Sequence, residues 1–152
     1  MTTKANTRKN LLCLVEGALL VALAQILSYL KLWELPQGGS VTIGMLPIFL
    51  YCVRWGFGPA VIACFVHGTL QMFLGGGVGI GWQSILGDYL IAYGVLGVAG
   101  LFRGKFVPGA VVACLLRFAV HYVVGATVWA EYMPETFFGL EMVTPWVYSA
   151  LY

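Results

Sequence analysis

Long apolar stretches, separated by short polar or glycine-rich connections, dominate this chain. A helix that crosses a membrane needs about 20 mostly apolar residues, within a range of about 17–25. On this criterion we predict six helical segments, at roughly 11–30, 43–53, 59–75, 82–102, 107–130 and 142–152. The sixth is still apolar where the sequence given stops, so we expect this helix to be incomplete in it. The pattern predicts an all-α membrane protein: a single integral membrane domain of 152 residues with six transmembrane helices.

The composition agrees with a membrane location. The chain is 61% hydrophobic and 9% charged, with a mean hydropathy of +0.90. Soluble domains are about 45–50% apolar and about 25% charged. The net charge is only +2, and no basic run is interleaved with aromatic residues, so we expect a lipid bilayer and no nucleic acid as partner.

The charged residues sort onto two sides of this layout. The segments before the first helix, between the second and third, and between the fourth and fifth contain six basic residues and no acid: Lys4, Arg8, Lys9, Arg54, Arg103 and Lys105. The opposite connections hold four acids and one base: Lys31, Glu34, Glu131, Glu135 and Glu141. Because cytoplasmic loops carry an excess of Lys and Arg, the N-terminus is expected in the cytoplasm.

Motifs for common catalytic and nucleotide chemistry are missing from the sequence. The glycine-rich stretch 75–81 (GGGVGIG) lacks the GK[ST] ending of a phosphate loop, and neither GxSxG nor HExxH occurs. No two of the four cysteines form a CxxC pair, so we interpret them as small buried apolar residues. We therefore expect a membrane protein without enzymatic activity, metal or cofactor, and a flexible outer connection at 75–81.

Polar and aromatic side chains converge in the outer half of the predicted bundle. In a helix, Arg117, His121, Gly125 and Trp129 share one face, because positions i and i+4 stack. Asp88 lies six residues into the fourth helix, at a similar depth. Aromatic faces beside a poorly hydrated carboxylate are typical of sites for aromatic cations. This combination predicts a pocket, open to the outside, for a planar, heteroaromatic and positively charged ligand.

Each of these residues also has a structural interpretation, which the sequence leaves open. Trp129 suits a belt at the membrane interface, and His121 suits a hydrogen bond to a neighbouring helix. Asp88 and Arg117 suit an ion pair, and Gly125 suits close helix packing.

A small-xxx-small pair, Ala18 and Ala22, lies on the first helix within EGALLVALAQ. Such pairs allow two helices to approach closely. The partner is either another helix of this chain or a separate membrane protein.

Four stretches resemble the thiamine-specific substrate-binding (S) subunits of energy-coupling factor (ECF) vitamin transporters. They are EGALLVALAQILSYLKLWELPQGGSVTIGMLPIFLYCVRWG, GDYLIAYGVLGVAGLFRG, RFAVHYVVGATVWAEYMPE and YSALY. The resemblance covers nearly the whole chain from about Leu11. It implies a six-helix membrane protein of the prokaryotic cell membrane that binds thiamine from outside. Its expected partners are two ATPases and one transmembrane coupling protein, which together energise uptake.

The resemblance also implies roles for individual residues. It assigns ligand contacts to Trp33 on a lid loop, to the pair Asp88 and Tyr89, and to the row His121, Gly125 and Trp129. It further matches Tyr148, and it assigns Ala18 and Ala22 to docking on the coupling protein. The family's motif continues to an Asn that contacts the ligand, and the sequence given stops at Tyr152, before that position. Arg117, just beneath His121, is expected to orient Asp88 or to attract a phosphorylated ligand.

Three other functions compete with this interpretation. An S subunit for another heteroaromatic vitamin would not need a carboxylate in its pocket, and Asp88 argues against it. A stand-alone facilitator would need polar groups through the inner half of the membrane, where the sequence has few. A membrane enzyme would need a nucleophile and base with a metal or triad motif, and we find none.

Overall fold

Six helices, one 3-10 turn (Ala130–Tyr132) and two short β-hairpins are the regular elements in the part of the chain that the structure, a computed structural model, describes: residues 2–34, 40–75 and 81–151. The helices are α1 (Thr2–Ser28), α2 (Met45–Trp55), α3 (Phe57–Leu74), α4 (Gly81–Leu101), α5 (Phe106–Thr127) and α6 (Pro145–Leu151). The strands are β1 (Lys31–Glu34), β2 (Ser40–Thr42), β3 (Thr136–Phe137) and β4 (Leu140–Glu141). The predicted flexible connection at 75–81 falls mostly outside the described residues.

Within the described residues, four helices are long and apolar enough to cross a membrane: Asn6–Ser28 within α1, and then α3, α4 and α5. The short helix α2 has 11 residues and α6 has seven, fewer than the 17 or so that a crossing needs. An all-helical membrane fold is therefore observed. The count of six crossings stays a prediction.

The last predicted segment begins later than expected, because a hairpin comes first. Strands β3 and β4 pair antiparallel, and the two residues between them, Phe138 and Gly139, both have positive φ (51° and 78°). That backbone matches the two-residue turns that fit the twist of a hairpin. Helix α6 then starts at Pro145, a residue suited to a first helical position, so the predicted start at 142 is wrong.

Small residues let α3 and α4 approach each other closely at the centre of the fold. A Cβ on Gly97 would lie 2.9 Å from the Cα of Val61, and one on Gly100 would lie 2.7 Å from the backbone nitrogen of Phe57. The core around this contact includes the fully buried Ile48 and Leu96. Close backbone approach through small residues is how helices associate where burial from water cannot drive them together.

Helix α4 changes its winding along its length. Residues Ile85–Ile91 are π-helical, and Val95–Leu101 form a 3-10 helix. Within the π-helical part, Gly87 is buried, and a Cβ there would lie 2.5 Å from Cγ2 of Val124 on α5. Wide turns of this kind occur frequently at functional sites. Here the wide turn carries Asp88 and brings it close to α5.

Candidate ligand-binding site

The carboxylate of Asp88 is the centre of a hydrogen-bonded group at the contact between α4 and α5. Its Oδ1 lies 2.9 Å from Nδ1 of His121, and its Oδ2 accepts from Nε1 of Trp129 at 2.8 Å. The hydroxyl of Ser84, one turn earlier on α4, donates to the same Oδ2 at 3.1 Å. Three donors on two helices and a loop therefore fix the orientation of this side chain.

Trp129 reaches Asp88 from a turn that prolongs α5. The helix ends at Thr127, so the predicted end at 130 is wrong. The backbone nitrogens of Val128 and Trp129 nevertheless both donate to the carbonyl of Val124, at 2.8 and 3.3 Å. This extra turn keeps Trp129 near the face that carries His121, as the spacing predicted. Because its indole N–H bonds Asp88, Trp129 does more than occupy a membrane interface.

The Asp88–His121 pair is only partly enclosed. The side chain of His121 is 38% exposed and that of Asp88 is 17% exposed. An ionised carboxylate can only accept hydrogen bonds, so Nδ1 of His121 donates to it. The Asp88 side chain is mostly enclosed, so its carboxylate attracts a cation more strongly than it would in open water. His121 also bonds a neighbouring helix, as its structural interpretation predicted.

The space beside Gly125 is already filled. A Cβ on Gly125 would lie 2.8 Å from Oγ and 3.3 Å from Cβ of Ser149 on α6. The expected gap for a planar ligand against this backbone is therefore wrong in this structure, because Ser149 takes it. Gly125 allows α6 to approach α5, which was its structural interpretation.

Arg117 does not pair with Asp88. Its guanidinium carbon lies 4.0 Å above the ring of Tyr93, and its Nη1 lies 3.3 Å from Sδ of Met45. Both the proposed structural ion pair and the proposed orienting contact to Asp88 are therefore wrong in this structure. A cation over an aromatic face is a favourable arrangement, and it holds Arg117 on the core side of α5.

Three further predicted residues are described by contacts with other parts of the chain. Tyr89 is half-buried and packs against the main core. Tyr148 is buried on α6, with its ring edge-on to Phe137 at 5.3 Å. Trp33 lies on β1 opposite Val41 and is 66% exposed, so the lid role expected for it would require movement.

Ala18 and Ala22 are both exposed on α1. The buried side of this helix is formed by other residues, among them Gly17, Val21 and Ala24. The pair therefore does not serve packing within this chain, and that alternative is wrong.

Sequence reasoning missed three residues of this region. Ser84 precedes Asp88 by four positions on the same helix, so the spacing alone could have predicted their contact. Ser149 had no such signal, because only the packing of α6 against Gly125 places it. Tyr93 could not be told apart from other core residues in the sequence, because only the fold brings Arg117 over its ring.

The family model for the thiamine transporter protein family (Thia_YuaJ) matches residues 14–152. The thiamine transporter ThiT of Bacillus subtilis is 31% identical to this chain, over 97% of this chain and 83% of its own length. The thiamine transporter ThiT of Lacticaseibacillus paracasei is 28% identical, over 94% and 78% respectively.

A solved structure of ThiT from Listeria monocytogenes has the same fold. Its TM-score to this chain is 0.78 at 23% identity, covering 94% of this chain and 83% of that one. The resemblance to thiamine-specific subunits and the expected location in the cell membrane are confirmed. The chain therefore belongs to the thiamine transporter protein family, and it is a multi-pass bacterial membrane protein of transport rather than an enzyme.

Proposed function

We propose that this protein is the thiamine-binding S subunit of an ECF-type uptake transporter and that Asp88 anchors the ligand. The observation that carries the proposal is the oriented, partly enclosed carboxylate of Asp88 between His121 and Trp129. Membership of the family and the names of its relatives point to thiamine as the ligand.

Thiamine joins an aminopyrimidine to a cationic thiazolium, and the polar group around Asp88 suits both parts. Asp88 balances the cation or accepts from the aminopyrimidine. The rings of His121 and Trp129 offer faces for stacking, and Trp33 closes over the bound ligand. Tyr89 and Tyr148 bond the polar edges of the ligand.

Arg117 and Gly125 take part less directly in this proposal. Arg117 lies one turn from His121 on α5 and brings positive charge toward a phosphorylated ligand. At Gly125 the ligand gains space only if Ser149 moves, so binding is expected to shift α6 relative to α5.

The orientation and the partners complete the proposal. The basic end of the bundle faces the cytoplasm, six helices cross the membrane, and the ligand enters from outside. Two ATPases and a transmembrane coupling protein supply the energy by ATP hydrolysis. The exposed Ala18 and Ala22 form the close contact with the coupling protein.

Calorimetric titration of the purified protein in detergent tests the ligand assignment. We expect saturable binding of thiamine, and no binding of riboflavin or biotin at the same concentrations. Binding of another vitamin without thiamine would contradict the proposal. Transport into vesicles is expected only when the energising module is present, and uptake by the protein alone would favour a facilitator.

A further inference from the structure

A groove with one polar and one apolar end lies between α1, α2 and the connection from α4 to α5. Its volume is about 440 Å³, within the range of sites for small molecules. The lining residues come from these elements and from the first residue of α5: Glu16, Leu20, Leu50, Val53, Arg54, Gly104 and Phe106. The groove is separate from the group around Asp88, and the proposed function does not use it.

The polar end of the groove contains Arg54, whose guanidinium has N–H groups available for a ligand. Arg54 forms an ion pair with Glu16, with 2.9 Å between Nε and Oε1, while the Arg54 side chain stays 63% exposed. In the described part of the chain, Arg54 meets this carboxylate through Nε, and its guanidinium carbon lies 6.0 Å from the ring centroid of Trp55, which leaves the two terminal nitrogens available. Glu16 thus fixes the guanidinium through one edge, and the remaining N–H groups match the geometry of a phosphate.

In the proposed orientation, the apolar end points away from the cytoplasmic surface. Leu20 follows Glu16 by four residues on α1, and Leu50 precedes Arg54 by four on α2, which places both leucines about 6 Å deeper by helical rise. The polar end of the groove therefore suits a lipid headgroup, and the apolar end suits an acyl chain.

Positive charge is concentrated at this end of the bundle. Nη2 of Arg103 donates to the carbonyl of Trp55 at 3.1 Å, and the nitrogen of Gly104 donates to the carbonyl of Val53 at 3.3 Å, so the α4–α5 connection lies against the end of α2. The described side chains here comprise one acid, Glu16, and five bases: Arg8, Lys9, Arg54, Arg103 and Lys105. An anionic occupant is favoured over a zwitterionic one.

We propose that this groove binds an anionic phospholipid, with the phosphate on the terminal nitrogens of Arg54 and one acyl chain between Leu20 and Leu50. Basic pockets between transmembrane helices near the cytoplasmic surface are known sites for anionic lipid headgroups. The lipid would fill a gap between three elements and hold α1 against α2.

Native mass spectrometry with equal amounts of phosphatidylglycerol and phosphatidylcholine of identical acyl chains tests the headgroup. The wild type is expected to retain at least three times more phosphatidylglycerol. Arg54→Gln should reduce this ratio toward one, and Arg54→Lys should give an intermediate value. Arg8→Gln removes the same charge at the same end but outside the groove, and it should leave the ratio unchanged. Equal losses in both glutamine variants, or no preference in the wild type, would overturn the proposal.

Two further measurements test the chain position and the source of the phosphate. Leu50→Trp should fill the groove and reduce binding of both lipids, whereas Leu115→Trp on the exposed side of α5 should not. Equal retention in the two tryptophan variants would overturn the assigned chain position. Millimolar glycerol phosphate should not displace the lipid, and displacement would assign the site to a soluble anion instead. Thermal unfolding of each variant identifies any that fail to fold, and Arg54→Lys then carries the headgroup test.

Discussion

Trp129 donates its indole N–H to Oδ2 of Asp88 over 2.8 Å, although it lies two residues beyond the end of α5. Together with His121 on the other oxygen, it holds the carboxylate in one orientation before any ligand arrives. A ligand that binds an oriented acceptor loses less free energy to ordering than one that must orient it. The π-helical turn of α4 and the extra turn after α5 are the two backbone features that make this arrangement possible.

Removal of the Ser84 hydroxyl should weaken ligand binding moderately. Ser84→Ala deletes one donor to Asp88, and a hydrogen bond of this kind contributes about 0.5–1.5 kcal/mol, so the Kd for thiamine should rise by up to about tenfold. Thr127→Val is the matched control, because it deletes a hydroxyl that bonds only the Val123 carbonyl of its own helix. Calorimetric titration of both variants measures the difference. Equal Kd values for Ser84→Ala and the control would show that Ser84 does not support the carboxylate.

The contact between Gly125 and Ser149 should behave as a coupled pair. Gly125→Ala places a methyl group 2.8 Å from the serine hydroxyl, and overpacking of this kind costs about 1–3 kcal/mol. We expect a lower midpoint of thermal unfolding for Gly125→Ala and a partial recovery in the double variant with Ser149→Ala. Strictly additive effects on the midpoint would mean that α6 does not pack against Gly125 as described.

The cation–π contact of Arg117 with Tyr93 should contribute to stability. A thermodynamic cycle of Arg117→Met, Tyr93→Leu and the double variant is expected to give a coupling free energy of about 0.5–2 kcal/mol. Denaturant or thermal unfolding in detergent measures it. A coupling of zero would place the guanidinium elsewhere, for example toward Asp88, as the sequence had suggested.

Bulky residues at the exposed alanines of α1 should separate binding from transport. Ala18→Trp is expected to leave the Kd for thiamine unchanged, because Ala18 lies outside the packed core, and to abolish transport driven by the energising module. Leu115→Trp, on the exposed side of α5, is the control and should transport normally. Equal loss of transport in the two variants would exclude a specific docking role for Ala18.

Helical periodicity and the cost of charge in a membrane together predicted much of the polar group. The i, i+4 spacing of His121, Gly125 and Trp129 was readable, and an acid within an apolar helix drew attention to Asp88. The π-helical turn was not predicted, and the close approach of its Gly87 to Val124 depends on how two helices pack. The filling of the Gly125 gap by Ser149 likewise depends on how two helices pack.

The hairpin before α6 was also not predicted from the sequence. The hairpin before α6 is closed by Phe138 and Gly139 with positive φ, and only the glycine indicates such a turn in the sequence. The residues from 142 onward are mostly apolar, so the start of α6 at Pro145 was not recognised in the sequence. A contact between Arg117 and Asp88 was one alternative from the sequence, because opposite charges inside a membrane usually pair, whereas the structure places Arg117 against the ring of Tyr93 and the thioether of Met45.

Titration of intrinsic tryptophan fluorescence with thiamine, in the wild type and in Asp88→Asn, tests the central claim most directly. The asparagine keeps the shape of the side chain but removes the charge, so thiamine should lose much more affinity than an analogue with an uncharged second ring. We expect a saturable quench in the wild type and a rise in Kd of about tenfold or more for thiamine in Asp88→Asn, as charged hydrogen bonds contribute about 1.5–3 kcal/mol. Equal losses for thiamine and the uncharged analogue would contradict the pairing of Asp88 with the cation, and unchanged binding of both would contradict any contact of Asp88 with the ligand.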